Sequence, residues 1–98
     1  MTVGDMVSGL ESKLNNQSIT IGPSTVSLEW SIHNIYIPFG SKCEIYRTDG
    51  SNTILIMTTT SSLLSPYTFH VSTSQYITVK NVSGSTINIG YDGVITKE

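Results

Sequence analysis

His33, His70, Cys43, Asp49 and Asp92 are the residues of this chain that could serve in catalysis or hold a metal. Their spacing argues against both. A zinc site draws ligands in close pairs, and no H-x-x-x-H, C-x-x-C or H-E-x-x-H run occurs. Serines abound, yet none sits in a G-x-S-x-G elbow. The eight glycines stand singly at turns, so no glycine loop cradles a phosphate. His70 falls on the polar phase between Phe69 and Val71 and reads as solvated or paired across strands. Cys43 alternates in phase with Ile45 and reads as a small buried hydrophobe. Asp49-Gly50-Ser51-Asn52 gathers three oxygen-bearing side chains, enough for a weak Ca²⁺ contact. A tight turn needs the same residue types and explains them without a ligand. The expectation is no catalytic residue, no metal and no cofactor.

The other candidates are aromatic. Tyr36, Tyr46 and Tyr76 fall on the polar phase of their segments. Exposed tyrosines act as interface anchors or as platforms for stacking sugars. They also stabilise cross-strand pairs with no partner involved. Trp30 lies in the apolar phase with Leu28 and Ile32 and reads as core.

Composition names the material that must position these side chains. The chain of 98 residues contains no alanine, while Ser and Thr supply 28 positions and Ile 12. Replacing the best helix former with β-branched residues indicates a sheet protein. The length suits one domain, residues 1–98, with a modest core. Charged residues make up 12% and the net charge is −2, so hydroxyls and amides must cover much of the surface. One arginine, Arg47, and four scattered lysines do not make the basic patch a duplex binder needs. Nucleic acid is therefore not an expected partner. A single cysteine allows no internal disulfide. Residues 1–17 lack the basic start and apolar run of a signal peptide, and no segment is long enough to span a membrane. Asn16-Gln17-Ser18 and Asn81-Val82-Ser83 then match the glycosylation pattern by chance.

Periodicity divides the chain in two. Within residues 1–17, positions 2–15 predict the one helix. Thr2 and Asp5 resemble a capping box, and Val3, Met6, Val7, Leu10 and Leu14 follow helical spacing. Gly4 and Gly9 each cost a helix about 1 kcal/mol, so its stripe must dock on its own sheet or on a neighbouring subunit.

From residue 18 to 98 the period is two. Strands are expected at 19–21, 25–32, 35–39, 42–48, 53–59, 67–71, 77–79, 86–91 and 94–96, with the alternation cleanest in 25–32. The phase flips after His33-Asn34, which marks a bulge or a turn. Pro38 makes its segment an edge strand or ends it early. Asp49–Asn52 and Asp92-Gly93 read as hairpin turns. Ile54-Leu55-Ile56-Met57 implies burial on both faces. These signals predict an all-β fold, an antiparallel sandwich or small barrel of about eight short strands behind an N-terminal helix. Val26, Leu28, Trp30, Ile45, Ile56, Phe69, Val71, Ile77, Val79, Ile87 and Ile89 form the expected core.

The pairing of "TVGDMVSGLESKL" with hydroxyl-rich strands such as "SQYITVKNVSGSTINIGYDG" resembles the small virion proteins of tailed bacteriophages, among them capsid decoration proteins and head or tail accessory modules. The resemblance is one of style and carries no family residue onto this chain. It implies a non-enzymatic protein made in the bacterial cytoplasm and carried on the virion. Its partners would be other copies of itself or a major capsid or tail protein. The contacts would run through Val3, Met6, Val7, Leu10, Leu14, Tyr36, Tyr46 and Tyr76. Two other readings stand beside it: a carbohydrate-binding or adhesion module using the tyrosines, and a small enzyme using His33 or His70.

Overall fold

The computed structural model describes residues 2–60, 62 and 68–98. Eight strands follow one another: β1 (Met6–Lys13), β2 (Ser18–Ile21), β3 (Glu29–Tyr36), β4 (Cys43–Thr48), β5 (Thr53–Thr59), β6 (Phe69–Ser72), β7 (Tyr76–Asn81) and β8 (Ile87–Lys97). They form two four-stranded antiparallel sheets, ordered β1-β8-β3-β6 and β2-β7-β4-β5. That order is the jelly roll, two Greek keys folded into a double sheet. Both inner faces are built chiefly from isoleucine. Ile32, Ile35, Ile89 and Ile95 of the first sheet meet Ile19, Ile21, Ile45 and Ile77 of the second, all with almost no exposed surface. Side chains branched at Cβ suit the pleat and lose little rotamer freedom there. Burying each contributes about 1.5–3 kcal/mol.

The described residues contain no helix, and the expected one is replaced by β1. The Thr2–Asp5 pair does form, with the Thr2 amide donating to Asp5 Oδ2 at 3.0 Å, but it closes a turn and not a helix. Gly4 follows a left-handed path at φ 93° and directs the chain into the sheet. From Met6 to Lys13 every residue then pairs with β8. Gly9 has a specific role here, because a Cβ on it would lie 2.6 Å from the Tyr91 ring. In the strand the helically spaced residues divide between faces: Val7 points inward and is buried, while Met6 and Leu10 point to solvent.

Other segments differ from expectation for local reasons. The alternating run 25–32 becomes a strand only at Glu29. Ser27 adopts φ 83° in the preceding turn, and Val26 is exposed there, outside the core. Trp30 is only partly buried, stacked on Tyr91 with centroids 6.4 Å apart, and its Nε1 makes no hydrogen bond within the chain. Ile54, Leu55 and Ile56 are exposed, because β5 is a sheet edge and not a central strand. Leu28, Ile45, Phe69, Val71, Ile77, Val79, Ile87 and Ile89 are core as expected, as is Cys43. The loop residues Leu63 and Leu64, and Tyr67 at the start of the expected sixth strand, lie outside the described residues.

The phase flip at His33 is a bulge. Ile32 pairs with Gly93 and Asn34 with Asp92, leaving His33 unmatched. β3 then stops at Tyr36, ahead of Pro38. Asp92-Gly93 makes no hairpin, and β8 runs straight through it for 11 residues. The glycine is needed because the β3 backbone presses on it. An added Cβ would collide with the Ser31 carbonyl oxygen and lie 2.8 Å from Ile32 Cα. Gly93→Ala should therefore destabilise the fold by about 3 kcal/mol, the upper range for overpacking, in urea unfolding.

A buried amide ties the connections together. Asn81 is fully buried. Its Nδ2 donates to the carbonyls of Lys13 at 2.9 Å and Ser85 at 2.6 Å, and its Oδ1 accepts from the Ser83 amide and hydroxyl. Its glycosylation-like context is thus occupied by packing. Asn81→Ala would take these partners from the Lys13 carbonyl and the Ser83 amide, and should cost about 3 kcal/mol by the same assay.

Candidate functional site

The residues singled out for contact converge in part on the outer face of the first sheet. Three cross-strand rows build it, read from the registers of β1, β8 and β3: Met6, Val94 and Ser31; Ser8, Asp92 and Asn34; Leu10, Gly90 and Tyr36. Met6 and Leu10 are 73% and 72% exposed, far more than isolated packing residues need to be, and Tyr36 is 40% exposed. Gly90 lets the two long side chains of its row lie close over the sheet. A Cβ there would be 3.0 Å from Leu10 Cδ1 and 3.5 Å from Tyr36 Cδ2.

The middle row is polar and already organised. Asp92 accepts from Asn34 Nδ2 at 2.7 Å through one carboxylate oxygen and from the Tyr36 hydroxyl through the other. That hydrogen bond to a carboxylate holds the Tyr36 phenol above its ordinary pKa. Beside the upper row, Ser31 Oγ and His70 Nδ1 lie 3.0 Å apart across β3 and β6. His70 is thus the cross-strand-paired histidine expected from its phase. The surface offers apolar flanks around a fixed polar ridge.

The remaining candidates lie elsewhere. Val3 and Leu14 are exposed just beyond the two ends of β1, while Val7 belongs to the core and leaves the contact set. Tyr46 sits on the outer face of the second sheet in the row Thr20, Thr78, Tyr46 and Leu55. Its hydroxyl donates to Glu44 Oε1 at 2.6 Å, which raises its pKa. Tyr76 is half-buried against the core, with its Cβ 2.8 Å from where Gly22 would carry one, and works as packing. Asn34 and Gly90 are not among the residues the sequence singles out. Asp92 stands there only as a catalytic or metal candidate and in an expected turn, and the turn reading hides its place in this row.

Among the described residues no three His, Cys, Asp or Glu side chains gather as a metal site would require. Burial raises the Cys43 thiol, which stays an inert core group. Two shallow clefts, of about 240 Å³ and 200 Å³, share Arg47 and Gln75. Arg47 Nη2 donates to the His70 carbonyl at 2.6 Å, linking β4 to the edge strand β6. No family model matches this sequence, and no curated protein matches it.

Asp49 forms the expected hairpin turn. Its Oδ1 accepts from the amides of Asn52 at 2.7 Å and Ser51 at 2.9 Å, and Gly50 takes φ 96°. These amides, Asn52 first, lower the Asp49 pKa. A carboxyl lowered on folding stabilises the fold above its unfolded pKa, about 3.9, and that stabilisation is lost as pH falls through the folded value. Asp49→Ala should lower Tm at neutral pH, and calorimetry should show the gap to the parent closing as pH falls from about 4 towards 2.

Proposed function

We propose that this chain is a non-enzymatic structural protein of a phage virion, an auxiliary or decoration protein that docks on the assembled capsid or tail through the outer face of β1, β8 and β3. The observation that carries the reading is the exposure of Met6 and Leu10 beside Tyr36 on one flat face. Clustered apolar side chains on a charge-poor surface mark a contact site. The jelly-roll order supports the same reading, since it recurs in viral coat domains, although it recurs in lectins too. The net charge of −2, with one arginine turned to a carbonyl, supports a protein partner over nucleic acid. The protein would be made in the host bacterial cytoplasm and need no cofactor.

One observation favours the carbohydrate-binding or adhesion alternative. Tyr36 presents a partly exposed ring beside Asn34 and Asp92, the pairing of stacking surface and hydrogen-bonding groups that a sugar uses. Both of the polar partners are already engaged with each other, which leaves less for a ligand.

Co-sedimentation with phage particles lacking this protein tests the proposal. The parent chain should pellet with them. Leu10→Asp and Met6→Asp should each weaken binding about tenfold, as loss of an interface anchor does. Parent protein that binds neither heads nor tails, yet binds a glycan array through Tyr36, would replace this reading with the alternative.

A further inference from the structure

We propose that β5 pairs antiparallel with β5 of a second copy, joining two β2-β7-β4-β5 sheets into one eight-stranded sheet across a two-fold axis. This surface is separate from the face of β1, and the inference does not depend on capsid docking.

Each sheet has two edges, and an edge strand carries unpaired amides and carbonyls that invite another strand. Three of the four edges are blunted. β2 and β6 have four residues each. β1 carries the Glu11–Lys13 ion pair at 2.9 Å. β5, by contrast, reads Thr-Ile-Leu-Ile-Met-Thr-Thr, seven residues without a charge, a proline or a glycine.

Its exposed apolar groups also call for a strand more than for a flat partner. Ile45 pairs with Met57 and Tyr46 with Leu55, so Ile56 is an extra bulged residue. Ile54, opposite Arg47, and Leu55, opposite Tyr46, therefore point to opposite faces. They are 67% and 48% exposed, and Ile56 between the sheet faces is 41% exposed. A partner lying on one face would leave the other set in water. An added strand supplies cross-strand neighbours on both.

Charge selects a second copy as that strand. A two-fold pairing sets β5 against an identical strand, so a charge near the axis would lie close to its own copy. The sequence has none from Ser51 to Phe69. A closed two-fold also consumes the edge in one step, whereas head-to-tail pairing would grow filaments.

Sedimentation equilibrium of the full chain tests this. The parent should dimerise. Leu55→Lys and Leu55→Glu, at an outward position that spares the core, should each raise the dimer dissociation constant at least tenfold. Mixing the two variants should restore a dimer, because the paired strands then carry opposite charges in place of like ones. Amide exchange in Thr53–Thr59 of the parent should slow as concentration rises, a readout that needs no variant. A parent chain monomeric up to about 1 mM would overturn the proposal. So would a dimer that Leu55→Lys leaves intact and Leu10→Asp abolishes.

Discussion

The fold depends on one buried amide. Asn81 ends β7 at a place where three chain segments meet: the end of β1, the turn into β2 and the turn into β8. Its side chain accepts and donates to its full practical capacity, and its backbone adds two more bonds, donating to the Gln17 carbonyl and accepting from the Asn16 amide. A jelly roll repeatedly carries the chain from one sheet to the other, and each crossing leaves backbone groups without a ladder partner. At this crossing the Asn81 amide supplies those partners. A leucine of equal size would fit the cavity and leave the polar groups unmatched, which is the costlier error in an interior of low dielectric.

The outer face of the first sheet depends on a second constraint, the close approach of β3 to β8. The bulge at His33 shifts the register by one residue, so that Asn34 and Tyr36 share a face with Asp92 and Gly90. Without the extra residue, the side chains after position 33 would exchange faces. Tyr36 would enter the core and Ile35 would leave it. Gly93 permits the approach, and Gly90 permits the flat packing of Leu10 and Tyr36. A local irregularity thus decides which side chains solvent, or a partner, can meet.

These origins explain what was legible in the sequence. Strands such as Tyr76–Asn81 and Cys43–Thr48 were plain, because each has one buried face and the period follows from it. The phase flip at His33-Asn34 was also readable as an irregularity. The strand Met6–Lys13 was hidden because its apolar residues lie on both faces and mimic helical spacing. What makes it a strand is a ladder to Val94–Ile87, at the far end of the chain, which no local pattern records. The exposure of Ile54 to Ile56 was hidden for a related reason. Hydrophobicity reveals that a side chain prefers cover, while sheet order decides whether the monomer provides it. Asp92-Gly93 carried a turn signature, yet its glycine serves a steric approach from another strand.

The pairing of β1 with β8 has a consequence for synthesis. β1 waits for β8, which also forms the bridge between β1 and β3. Until Ile87–Lys97 leaves the ribosome, the first sheet has no centre, and Val7 has no wall to close against. β1 therefore stays unpaired while every strand between it and β8 is made. Contacts this distant along the chain slow folding. The low charge of the protein then becomes a liability of the unfinished chain: stretches such as 51–69 have no like charges to keep neighbouring nascent chains apart.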